Sequence, residues 1–317
     1  MSAAELAAAH RFRQQAIASL TLARTRRLWR VLDPANPEGS WRAVGALALA
    51  AMVAAQSEAA RGADDYVSAA LSSQGADPDP AGTVPAGAFA GTASDGRDLP
   101  GLLAWPVFQV SVLVAQGMTS GSALAAGRRH LDRIVLTQVA DAARTATGVA
   151  TVNDRRAKGW IRHVTAPCCS RCAILAGKFY RWNKGFQRHP HCDCVHMPAA
   201  EVIEPQSPKA LYDQMSPAER KRAGWSAGDV RAIDDGADLY QVTNAHRGLQ
   251  SMTVAGRQVK TTLQGATRRG LAGGRLGAKT GGRVIRLTPE QIYADADRLG
   301  WSRDETIRAL KRHGYIL

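Results

Sequence analysis

All five cysteines of the 317-residue chain fall between positions 168 and 194. They read Cys168-Cys169-Ser170-Arg171-Cys172 and then His189-Pro190-His191-Cys192-Asp193-Cys194. Zinc takes four sulfur or nitrogen ligands in a tetrahedron, and two residues between ligands let both side chains of a turn reach one ion. Cys169 and Cys172 have that C-x2-C spacing, and His189 and Cys192 repeat it as H-x2-C. Cys192 and Cys194 form a C-x-C step, whose side chains share one face of an extended strand. The interval from Cys172 to Cys192 fits the separation of paired zinc half-sites. The pattern predicts one zinc ion bound by Cys169, Cys172 and two of His189, Cys192 and Cys194. Cys168 is set aside, since adjacent cysteines rarely both face one small ion; His191 and His196 read as surface or supporting groups. A shell of four protein ligands leaves no position for water, so the expected metal is structural rather than catalytic. Buried reduced thiols without metal, or a redox pair, are the competing readings of the same residues.

Elements must bring these half-sites together. Residues 160–164 and 178–182 read as short strands, the second alternating like one arm of a hairpin that returns the later ligands to the earlier ones. Upstream, alanine-rich amphipathic stretches predict helices over residues 3–32, 40–71, 106–118 and 120–149, with Ser40 and Ser120 or Ser122 as N-caps. In the first of these, Leu6, Ile17, Leu20, Leu28, Val31 and Leu32 are the expected apolar positions. Residues 72–98, rich in Gly, Pro, Ser and Asp, read as a long loop. Downstream, short helices are expected over 208–215, 217–223 and 227–234. Thr288-Pro289 and Ser302 with Glu305 open two more helices near the end. The fold class is mainly α (α+β). It comprises an N-terminal helical bundle (1–155), a small zinc-stabilised β-hairpin module (156–200), a short-helix region (201–245), a basic glycine-rich segment (246–287) and C-terminal helices (288–317).

The formal net charge is +14, which points to an acidic partner. The basic segment supplies Arg247, Arg257, Lys260, Arg268, Arg269, Arg275, Lys279, Arg283 and Arg286 without an acid among them. It reads either as a DNA contact acting through phosphate charge or as a solvated linker, with residues 265–282 flexible. An odd number of clustered cysteines argues against a disulfide scaffold. The longest apolar run, 46–55, is shorter than the about 20 residues a membrane helix needs, and no cleavable signal pattern opens the chain. No G-x-S-x-G or H-E-x-x-H occurs, so neither a serine hydrolase elbow nor a zincin site is expected. Cys168 beside His163 or His196 reads as a spare thiol rather than a nucleophile pair.

At Cys169-Ser-Arg-Cys172-Ala-Ile-Leu-Ala-Gly177-Lys178-Phe179-Tyr180 and His189-Pro190-His191-Cys192-Asp193-Cys194 the chain resembles the phage Mu F-like minor head (head morphogenesis) proteins, in the version carried by phages of actinobacteria. The stretches beginning at Ala232, Val242 and Pro289 resemble the tails of the same proteins. The resemblance covers about residues 100–317. It implies a structural protein made in the host cytoplasm and built into the phage head near the portal. It also implies contact with portal or major capsid protein, proximity to packaged double-stranded DNA, a structural zinc, and neither a membrane nor a small-molecule substrate. Similar proteins often carry the label capsid maturation protease, which is the alternative.

Overall fold

The computed structural model describes residues 1–184, 192, 194–201, 206–254 and 256–317. The chain divides into two compact units, Met1–Val164 with Gly177–Pro205, and Thr165–Ala176 with Gln206–Leu317. As expected, the protein is mainly helical, with an N-terminal bundle and small antiparallel sheets.

In the first unit, α1 (Ala3–Trp29) opens with a capping box between Ser2 and Glu5. Its inner face mixes small residues with aliphatic ones: of the expected apolar positions Leu32 is buried and Leu6, Ile17 and Leu28 pack against the core. Leu20 and Val31 are 67% and 64% exposed, whereas Ala7, Gln14, Ala18, Thr21, Thr25 and Trp29 face inward. Small residues let α1 approach its neighbours closely. The threonine hydroxyls remain satisfied by donating to carbonyls one turn back, Thr21 to Ile17 and Thr25 to Thr21. The expected second helix is two, α2 (Pro37–Ala60) and α3 (Ala63–Ser72), parted at Arg61–Gly62. Asn36 rather than Ser40 caps α2, accepting from the Gly39 N–H. By length and composition alone Pro37–Ser72 could cross a membrane (mean hydropathy 1.4). In this unit Ala48, Met52, Ala55 and Ala59 of α2 instead pack into the helical core.

Helix α4 (Leu99–Ala115) starts seven residues earlier than Pro106 would suggest, because Asp98 caps it through the Gly101 N–H at 2.7 Å and Pro106 is accommodated inside. Helix α5 (Ser120–Asn153), capped by Thr119, runs against α1, α2 and α4. Gly127 permits the closest approach. A Cβ there would lie 2.7 to 2.9 Å from Val110, Trp29 and the Pro106 carbonyl. Asp132 on α5 takes a bidentate pair from Arg26 at 2.9 and 3.0 Å.

The sheet of this unit has β1 (Gly159–His163) at its centre, buried along its whole length, between β2 (Phe179–Arg181) and β3 (Val195–Ala199). Both pairings are antiparallel, with Trp160 opposite Tyr180 and Pro198, and Ile161 opposite Phe179 and Met197. The third strand was not anticipated. It begins immediately after Cys194, so pairing with β1 fixes the backbone that carries the C-x-C step.

In the second unit, α6 (Ser170–Ala173) is one turn, followed by α7 (Pro208–Asp213), α8 (Pro217–Ala223), α9 (Ala227–Asp234) and α10 (Leu239–Ala245). Trp225 is buried among them and donates from its indole to the Thr243 hydroxyl at 3.0 Å. The basic stretch is not a flexible linker. Strands β4 (Leu249–Val254) and β5 (Arg257–Thr262) form an antiparallel hairpin, followed by the short helix α11 (Leu271–Arg275) and by β6 (Arg286–Leu287), which pairs with β5. Alternation of Thr and Val with longer polar residues suits a half-buried strand. The glycines serve packing rather than looseness: the Gly273 backbone lies against the Thr267 carbonyl, where a Cβ would collide. Helices α12 (Pro289–Leu299) and α13 (Arg303–Arg312) carry the expected caps, Thr288 for the first and the Ser302–Glu305 box for the second.

Candidate metal centre

The first half-site is a tight turn. Cys169 is the N-cap of α6, and its Sγ accepts from the Cys172 backbone N–H at 3.3 Å. An amide N–H aimed at sulfur favours the thiolate, the form that binds metal. Cys168 and Cys172 are buried and Cys169 is half-buried, and none of the three is in a disulfide.

The second half-site precedes β3. Cys192 and Cys194 are both buried, with their sulfurs 3.0 Å apart, and none of the five cysteines is in a disulfide. A disulfide would need about 2.05 Å. Two thiolates on one tetrahedral zinc, with bonds of about 2.3 Å, stand about 3.8 Å apart. The observed pair therefore needs to spread by less than 1 Å to share an ion. The backbone is held from the helix side: Arg144 Nε donates to the Cys194 carbonyl at 2.8 Å, and Arg144 Nη1 to Asp141 at 2.7 Å.

Cys172, Cys192 and Cys194 form a buried group of thiols that could hold a metal ion such as zinc, their sulfurs all within 4.8 Å of one another. The donor set fits: three thiolates are ligands zinc accepts, and burial shields the bonds from water. Of the five expected ligands the structure brings these three together. Cys169 is not among them and serves α6 as its cap. His189 lies outside the described residues, as do His191 and Asp193. His196, on β3, stacks on Trp160 with ring centroids 5.0 Å apart. Burial pushes the imidazole of His163 down to about 4, aided by the Arg11 charge, so it is neutral at pH 7.

The expected DNA-contacting cations part into three groups. Arg247, Arg268, Arg269, Lys279 and Arg283 are exposed, and Arg268, Arg269 and Arg283 line one depression with Thr267 and Thr280. Arg257 and Lys260 are exposed but paired, with Asp295 at 3.4 Å and Glu290 at 2.8 Å. Arg275 and Arg286 are structural. Arg275 donates to the carbonyls of Lys311 and Ile316 at 2.6 and 2.7 Å. Arg286, 2% exposed, donates to the carbonyls of His313, Gln264 and Gly314 and to the Gln241 amide oxygen, its guanidinium 4.2 Å from the Tyr315 ring centre. It cannot meet a phosphate without unfolding its surroundings, which corrects its place among the nucleic-acid contacts. Nothing in the sequence distinguishes Arg286 from its neighbours; only its position opening β6 does.

Comparison with known proteins gives no match to the chain among family models, curated proteins or solved structures.

Proposed function

We propose that the protein is a phage minor head protein of the Mu F-like kind, structural rather than catalytic, acting near the portal during head assembly and touching packaged DNA. The observation that carries this reading is the buried thiol group of Cys172, Cys192 and Cys194, drawn from the same cysteines on which the resemblance rests. In the finer form of the proposal the ion is zinc, with Cys169 or His189 as the fourth ligand. Its role is to hold a short stretch of chain that buries little apolar surface of its own.

The exposed cations Arg247, Arg268, Arg269, Lys279 and Arg283 give the DNA contact a physical basis, because cations near phosphates release condensed counterions. Portal and major capsid protein are the partners this role requires. Mass spectrometry of purified virions from the phage that encodes the chain tests the proposal: the reading expects the protein in DNA-filled heads. Its presence in infected cells but absence from heads at every assembly stage would refute the structural role. Co-expression with the major capsid protein tests the protease alternative, which requires a discrete truncation of the capsid chain dependent on a single residue here.

A further inference from the structure

Three arginines of the second unit, Arg268, Arg269 and Arg283, face one open depression that has no carboxylate on its wall. All three are exposed, and none is in an ion pair among the described residues, whereas Arg257 and Lys260 of the same basic stretch pair with Asp295 and Glu290. Residues 247–286 contain no acid that could offset them. The depression is built from two pieces of chain. They meet through an antiparallel bridge between Thr267 and Arg283, and the Val284 N–H donates to the Ala266 carbonyl at 3.0 Å. Arg268 Nη1 donates to the Thr280 hydroxyl at 2.8 Å, which ties one guanidinium across the gap. Gly281, at φ 77°, supplies the left-handed backbone that turns the second piece. Three like charges are thus gathered on one ordered turn, and their mutual repulsion is relieved only by an anion.

We propose that this depression binds a phosphomonoester, the group at a 5′ end of DNA. The inference rests on the proposed DNA contact and narrows it from any phosphate of the duplex to its terminus. An arginine fork grips two oxygens of a phosphate at once. A terminal phosphate has three free oxygens, and so three such edges, one for each guanidinium. An internal phosphodiester has two free oxygens and a single edge. The terminal group also carries a charge near −2 at pH 7, against −1 for the diester, and so offsets more of the repulsion. The Thr267 hydroxyl, on the same wall, is a further donor. The depression, about 930 Å³, leaves room for the nucleoside that carries the phosphate.

The same group occurs on free nucleotides, and the test separates the two sources. Affinity of the full-length protein is measured by fluorescence anisotropy at one salt concentration for a short blunt duplex labelled at a 3′ end, its 5′ ends either phosphorylated or bearing hydroxyls. The phosphorylated duplex should bind about ten-fold tighter. That preference should vanish in the folded triple variant Arg268→Gln, Arg269→Gln, Arg283→Gln, whose side chains are all exposed. Thymidine 5′-monophosphate that competes as well as the duplex end assigns the site to free nucleotides, and failure to compete assigns it to DNA. Equal, salt-sensitive binding of both duplexes overturns the inference and leaves the DNA contact standing, as does a preference that survives in the triple variant. If neither duplex binds, the DNA contact falls. Calorimetric titration with thymidine 5′-monophosphate then decides: saturable binding supports the phosphate site, and its absence overturns it.

Discussion

Replacing Arg286 with methionine separates a structural arginine from a DNA-binding one. The side chain is fully enclosed, and its guanidinium satisfies three backbone carbonyls and one amide oxygen. Hydrogen bonds to a charged donor contribute about 1.5 to 3 kcal/mol each when singly removed. They are not additive, and losing one partner of a buried charged network typically costs about 3 to 5 kcal/mol. Methionine restores most of the volume but none of the donors, so the His313 and Gly314 carbonyls are left buried and unpaired. A loss of about 3 to 5 kcal/mol in a unit of this size lowers the unfolding midpoint by on the order of 10 to 20 °C. The assay is thermal unfolding followed by circular dichroism, paired with DNA affinity measured well below the midpoint. Affinity should be unchanged in the folded variant. An intact midpoint with weakened DNA binding would refute the reasoning, because Arg286 would then be acting as a surface cation.

Other outcomes follow from the same structure. DNA affinity should fall with salt at a log–log slope of about −3 to −5 if three to five of the exposed cations meet phosphates. The triple variant Arg268→Ala, Arg269→Ala, Arg283→Ala should reduce that slope by about 3 in filter-binding assays, and a flat response in the wild type would remove the phosphate contact. His313 is buried with a pKa lowered to about 4, chiefly by desolvation and then by Arg312 and Arg286, and its Nδ1 accepts from the Leu287 N–H. Its contribution to stability, up to about 3 kcal/mol, is present above pH 6.5 and lost as pH falls from about 6.5 toward 4. Urea midpoints across that window should show a shallower acid slope in His313→Gln, and an unchanged slope would contradict the assignment. In Gly127→Ala the gain in helix propensity, about 1 kcal/mol, is outweighed by the collision with Val110, Trp29 and the Pro106 carbonyl. A net loss of about 1 to 2 kcal/mol is expected in chemical unfolding, and a stabilised variant would show that the helices part easily.

The cysteine spacing announced a metal site because ligand chemistry is local: C-x2-C and C-x-C steps dictate which sulfurs converge. Cys172, Cys192 and Cys194 were readable on that ground. Cys169 was expected with them on its C-x2-C spacing, but the gathered sulfurs do not include it; its own sulfur caps α6, a use that spacing does not reveal. Helix existence was legible from composition and caps, as at Ser302 and Thr288. The buried face of α1 was legible in part, at Leu6, Ile17, Leu28 and Leu32; Leu20 and Val31 are exposed, and close packing against α2 and α5 brings in small residues that hydrophobic periodicity does not mark. Strand β3 escaped notice because Val195-His-Met-Pro-Ala199 lacks alternation; the strand is specified by its pairing with β1 and by the helices α1, α3 and α5 that pack against it. The glycine-rich basic stretch looked like a linker because its order depends on long-range pairing of β5 with β6 and on the Arg286 contacts, none of which is local.

Elemental analysis of the purified, reduced, full-length chain by inductively coupled plasma mass spectrometry tests the zinc site most directly. One zinc per polypeptide is predicted, falling to a small fraction in Cys192→Ser and in Cys172→Ser. Stoichiometric absence of any transition metal from folded wild-type protein, or full zinc retained in both variants, would contradict it.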